Sequence, residues 1–199
     1  MRSVLGTILA LALLAGSALA ANEVIVCELM YNSIGDDVEW IELVNASDAT
    51  IDLAGWYVLD ENLDHERMYL SGSLAPREVR LLVGDEAMFN AQYPGVTNYF
   101  PVFFQTDGGT WALGNGGDGV NIFDAAGTLV FTLTFDDEGG WPTACDGDGP
   151  SLLLITDNTD NFSDPAFWTA GEVWGTPGVL TGTVAVQSAT WSGVKGLFR

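Results

Sequence analysis

Apolar and polar residues alternate along most of this chain. In Leu129-Val130-Phe131-Thr132-Leu133-Thr134-Phe135 the odd positions are large and apolar and the even ones mostly threonine, the period of a strand with one buried face. The same alternation, or a short run of β-branched and aromatic residues, predicts further strands over residues 24–31, 38–45, 56–60, 78–83, 99–104, 119–124 and 151–155. Connections rich in Gly, Asn, Asp and Ser separate them, and Asp124-Ala125-Ala126-Gly127-Thr128 predicts a hairpin turn with Gly127 in the left-handed conformation. One short helix is predicted over residues 85–92, with Asp85 capping its first turn and Pro94 blocking continuation. Such a pattern predicts an all-β chain: a mainly antiparallel two-sheet sandwich with one short helix.

The first twenty residues follow another pattern. Arg2 leads into an apolar run over residues 4–15, and Ala18-Leu19-Ala20 supplies the small residues of a cleavage site, the layout of a secretory signal peptide cut near Ala20. The run is too short to span a bilayer core of about 30 Å. The mature chain is therefore expected to carry no transmembrane span and to be secreted, periplasmic or held at the cell surface. Residues 22–180 read as one domain. Over residues 181–199 the acidic residues vanish and Lys195 and Arg199 appear, which marks a separate tail; a sorting or attachment signal, a frayed end and a strand docking on a sheet edge are all open for it.

Charge narrows the partners. The chain has 27 acidic and 6 basic side chains and a net charge of −21, and between Asn22 and Leu180 the lysines and arginines reduce to Arg67, Arg77 and Arg80. Nucleic acid, which needs a basic patch, is excluded as the expected partner; an unknown protein or surface polymer, divalent cations and self-association through sheet edges are not. Cys27 and Cys145, an even number in an oxidising compartment, predict a disulfide, with two separate buried thiols as the alternative.

Six segments in order then carry a resemblance: Glu28-Leu29-Met30-Tyr31-Asn32; Glu39-Trp40-Ile41-Glu42-Leu43-Val44-Asn45; Asp52-Leu53-Ala54-Gly55-Trp56; the turn from Leu113 through Asn115-Gly116-Gly117-Asp118; Asp146-Gly147-Asp148-Gly149-Pro150-Ser151-Leu152; and Gly175-Thr176-Pro177-Gly178. Together they resemble the bacterial lamin tail domain family over about residues 23–180. The resemblance implies an immunoglobulin-like β-sandwich in an exported protein that binds or attaches and does not catalyse. The chain departs from the family pattern after Gly178, where an asparagine is common and Val179-Leu180-Thr181 stand.

The candidate chemistry is sparse. His65, between Asp64 and Glu66, is the one histidine, and no nucleophile elbow accompanies it; a solvated loop residue is the expected role, and no catalytic residue is assigned. Asp36, Asp37 and Glu39, with Asp146 and Asp148, place carboxylates one or two residues apart in turns, where oxygens could converge on a structural Ca²⁺. Asn45-Ala46-Ser47 and Asn161-Phe162-Ser163 match a glycosylation pattern and read as turns. Most tryptophans are expected in the core, while Trp141 and Trp174, beside Gly and Pro in loops, are also ligand candidates. The leading expectation is an exported, non-catalytic binding, attachment or assembly domain. A calcium- or carbohydrate-dependent binding module, and an accessory domain of an extracellular hydrolase or nuclease system, stand as alternatives.

Overall fold

The computed structural model describes residues 22–105, 111–157 and 159–182; the expected signal peptide and nearly all of the expected tail lie outside the described residues. The elements run β1 (Val24–Met30), β2 (Trp40–Asn45), β3 (Ile51–Asp52), β4 (Tyr57–Leu59), β5 (Met68–Tyr69), β6 (Ser73–Leu74), β7 (Val79–Val83), α1 (Glu86–Gln92), β8 (Tyr99–Phe103), β9 (Gly117–Phe123), β10 (Leu129–Asp136), β11 (Pro150–Leu154) and β12 (Trp168–Val173).

Six strands form one sheet in the order β12-β11-β1-β2-β7-β8, antiparallel except for the parallel β7–β8 pair. Four form a second, wholly antiparallel sheet in the order β10-β9-β4-β5, and β3 pairs with β6 in a small ladder. The two sheets share one core. Leu29, Ile41 and Leu43 of the first and Val58, Val120, Ile122, Phe131, Leu133 and Phe135 of the second belong to it. Along β10, Phe131, Leu133 and Phe135 are buried while Thr132 and Thr134 are exposed, the alternation read from the sequence.

β1 and β2 are buried along their whole length, because both faces of these central strands are covered. A second apolar cluster of Met30, Val38, Trp40, Leu81, Val83 and Phe89 lies apart from the intersheet core, with Met88, Tyr93 and Tyr99 packed against it. Phe89 comes from α1. That helix starts where its residues predict: the Asp85 side chain accepts the Met88 N–H at 2.8 Å, satisfying one of the free donors of the first turn. Likewise, Asp124 accepts the N–H groups of Ala126 and Thr128, and Gly127 takes φ +80°.

Four strands were not expected from the sequence. β3, β5 and β6 are two residues each, too short for any period to appear. β12 contains Gly171, and its register against β11 shifts between Pro150 and Leu152, so its alternation is broken.

Candidate functional site

Glu28 and Glu42 face each other across the β1–β2 ladder, in the same rows as Met30 and Trp40. Both are buried, at 1% and 0% exposure. Four groups donate to Glu28: the Ser151 hydroxyl at 2.5 Å, the Thr176 N–H at 2.9 Å, the Thr176 hydroxyl at 2.7 Å and, more weakly, the Thr181 hydroxyl at 3.5 Å. Glu42 accepts the Gly178 N–H at 2.6 Å and the Cys27 thiol at 3.3 Å. The two acids thus fasten Gly175-Thr176-Pro177-Gly178 over β1 and β2. Burial pushes Glu42 up to about 8, against the lowering effect of the Gly178 and Cys27 donors, with the neighbouring Glu28 charge adding to the rise.

Just before this segment, Trp174 takes φ 70°, a conformation that costs a non-glycine residue about 1–2 kcal/mol. Its N–H donates to the Gly149 carbonyl at 2.8 Å, and its carbonyl accepts the Tyr93 hydroxyl at 2.7 Å. Tyr93 in turn accepts the Trp40 indole N–H at 3.1 Å. The half-buried Trp174 lines a cleft of about 390 Å³ with Ile34, Asp36 and Val38 on one side and Ala87, Met88 and Gln92 of α1 on another. Of the two tryptophan candidates, Trp174 therefore lines a cleft. Trp141 does not: it is 8% exposed and packs at 6.3 Å from Trp168. The turn after β10 folds it back onto the core, so it offers no stacking face.

The five acidic candidates are not drawn to one point, and among the described residues no three His, Cys, Asp or Glu side chains converge to hold a metal ion. Asp146 accepts the Asn32 side-chain N–H at 2.6 Å and, like Asp36 and Asp148, is exposed. Asp37 and Glu39 do meet, carboxyl against carboxyl. Glu39, 1% exposed, accepts the Leu113 N–H at 2.7 Å on one oxygen, and its carboxyl is hydrogen-bonded to that of Asp37. Burial raises Asp37 and pushes Glu39 up to about 9, the Leu113 N–H opposing and the Asp37 and Asp118 charges adding. Asp118 itself is satisfied by the N–H groups of Glu61, Gly114 and Gly119, which explains the Asn-Gly-Gly-Asp turn.

The expected disulfide is corrected: Cys27 and Cys145 are separate buried thiols. Cys27 bonds Glu42, and Cys145 bonds the Ser151 carbonyl at 3.1 Å. Leu152, next to Ser151, pairs with Leu29 on β1, so Cys145 lies past Leu29 in the direction away from Cys27. Burial lifts Cys145 to about 12 and Cys27 well above the ordinary thiol value, with Glu42 adding to the latter; both are poor nucleophiles. His65 is in a loop as expected but anchored, its Nδ1 2.7 Å from Oδ2 of the buried Asp60.

The sequence reading missed Glu28 and the donors of its loop. The signal was present: Glu28 and Glu42 stand at strand positions where alternation calls for apolar residues, each in a motif of its own. The cleft had no comparable signal, because Ile34, Met88 and Trp174 are far apart in the chain.

No curated protein matches this chain in sequence. A solved structure of a DUF4876 family protein from Bacteroides thetaiotaomicron aligns with a TM-score of 0.47 at 11% sequence identity, over 86% of this chain and 74% of that one. The lamin tail domain family model matches residues 17–137. The segments around Asp146 and Thr176 lie past that match and are tied to it by the hydrogen bonds of Asn32, Glu28 and Glu42. With more than half of its length matched, the chain belongs to the lamin tail domain family.

Proposed function

We propose that this chain is an exported, non-catalytic β-sandwich domain that attaches to a protein partner or surface polymer through the cleft beside Trp174. The observation that carries the reading is the cleft itself. A tryptophan in a costly backbone conformation, tied to Gly149 and Tyr93, lines with Ile34 and Met88 a cleft of about 390 Å³. Strained residues of this kind persist where their surroundings over-determine them, and they cluster at ligand sites. The volume is at the small end of ligand clefts, suited to one anchoring side chain or one sugar ring. Asp36 and Gln92 at its margin are the polar groups a sugar would use, which keeps a carbohydrate-binding reading alongside the protein-binding one. Export rests on the charged and apolar pattern of residues 1–20. No helix among the described residues is long and apolar enough to cross a membrane.

The test is retention of the full chain on cells that make it. Wild-type protein is expected outside the cytoplasm and bound to the cell surface, with Trp174→Ala released into the medium at unchanged expression. Equal retention of the two would remove the cleft from the reading, and a cytoplasmic wild-type chain would remove export. A glycan-array signal lost in Trp174→Ala would select the carbohydrate reading.

A further inference from the structure

Building on its role as the attachment site, we infer that the cleft beside Trp174 takes an apolar side chain of a protein segment in which lysine or arginine stands next to that side chain. Ile34, Val38, Ala87, Met88, Ala91 and Trp174 make most of the lining, with Asp36 and Gln92. Val38 belongs to the apolar cluster of Trp40 and Phe89, and Met88 packs against it, so the walls are backed by packed hydrocarbon. The apolar surface continues outward at the mouth: Ile34 is 43% exposed and Val173, which precedes Trp174, 55%. Gly149 adjoins both, since a Cβ there would meet Ile34 Cδ1 at 2.5 Å and Val173 Cγ1 at 3.1 Å. Large apolar groups left open around a concavity mark an interaction surface, and a methionine in the lining adapts to the shape of an anchor. Such walls favour a hydrocarbon side chain over a sugar ring, whose hydroxyls would face them unpaired.

Charge around the mouth has one sign. Asp36 lines the cleft and is exposed. Asp146 accepts the Asn32 side-chain N–H at 2.6 Å and the Gly147 N–H reaches the Asn32 carbonyl, which sets the exposed Asp146 and Asp148 on the Ile34 side. Exposed Glu86 precedes Ala87 on α1, and exposed Glu172 stands two residues before Trp174. The basic side chains among the described residues lie elsewhere. His65 bonds Asp60, Arg67 covers the Tyr57 ring, and Arg77 and Arg80 flank the Asn45 end of β2, away from Val38. Exposed acids attract a cation within about 8 Å at physiological salt, and complementary charge sets partner choice and association rate. A lysine or arginine beside the anchor would lay its stem on the apolar mouth and keep its charge in water among these acids. An acidic segment would be repelled. The described domain, with three arginines among its many acids, is for the same reason a poor occupant of a second copy's cleft.

The test is an NMR titration of the isotope-labelled full chain with a blocked Gly-Lys-Leu-Lys-Gly peptide. It is read at the Trp174 indole N–H, the signal missing from Trp174→Phe; should that variant not fold, the Ala87 and Ala91 amides serve. A saturable shift is expected. Replacing the peptide's leucine by glycine should weaken binding by about tenfold or more, the worth of a buried leucine. Asp36→Asn should weaken it by about twofold to fivefold, the worth of a surface charge pair. Asp48→Asn, an exposed acid outside the cleft lining, should bind as wild type and controls for the diffuse negative surface. The inference is overturned if the lysine peptide causes no saturable shift, if the glycine peptide or a Glu-Leu-Glu counterpart binds as tightly, or if Asp36→Asn leaves binding unchanged. Any of these alongside loss of cell retention in Trp174→Ala would overturn the partner chemistry and leave the cleft as the attachment site. A bound lysine peptide with equal retention of wild type and Trp174→Ala would do the reverse.

Discussion

Glu42 is buried at the centre of β2 with no positive charge against it among the described residues, and it pulls the protein's stability toward acid. Its carboxyl is pushed from an ordinary 4.5 to about 8, chiefly by burial. The folded state therefore holds a proton that the unfolded chain releases above pH 4.5, and stability falls as pH rises. The contribution is complete below about pH 4.5 and is lost by about pH 8, at up to about 1.4 kcal/mol per pH unit. Glu42→Gln keeps an acceptor for the Gly178 N–H and removes the titration, so urea midpoints between pH 5 and 8 should fall less steeply for it than for wild type, both in chelator. Superimposable slopes would refute the assignment. Glu39, Asp37 and Asp60 are shifted in the same direction by burial, so some slope remains in the variant.

The element that ties the fold to its cleft is the segment from Trp174 to Gly178. It has no regular structure of its own and is held in place by acids on two strands. Gly175 is where it comes closest to the sheet. It takes φ +65°, and a Cβ there would meet Trp40 Cζ2 at 2.6 Å and Glu28 Oε1 at 2.8 Å, a buried ring and a buried carboxyl that cannot step aside. Gly175→Ala should destabilise by at least about 2 kcal/mol, from the left-handed backbone and the overpacking together. Gly95→Ala, where the added methyl meets nothing within 4 Å, should stay within about 0.5 kcal/mol of wild type. Denaturant titration of both would show whether the segment is packed as described; equal midpoints would mean that it is not. The Gly-Thr-Pro-Gly motif thus has a physical reading: glycine for contact, threonine and a backbone N–H for Glu28, and a second N–H for Glu42.

For the whole molecule, two sheets and a helix-covered outer face provide the stability, and no cross-link adds to it. A thiol titration of the unfolded, unreduced protein should find both Cys27 and Cys145 free, and reductant should leave the melting temperature unchanged; a bridge found by mass would contradict their positions. Much of this architecture was legible beforehand. Eight strands, the Asp85-capped helix and the Gly127 hairpin follow from spacing, because period-two alternation, capping and positive φ are decided by residues a few positions apart. The two-residue strands, β12 and the parallel β7–β8 pair were not legible, since they depend on what a neighbouring strand presents. The chemistry followed the same division. Sequence alone determined the sandwich, its family and an acidic chain with few counter-charges. Tertiary structure alone decided that Trp141 is core while Trp174 lines a cleft, that Cys27 and Cys145 are separate buried thiols, and that Asp146 and Asp148 stand apart from Asp37 and Glu39. Burial and contact between residues far apart in the chain are set by how the sheets close on one another, and no local pattern records that.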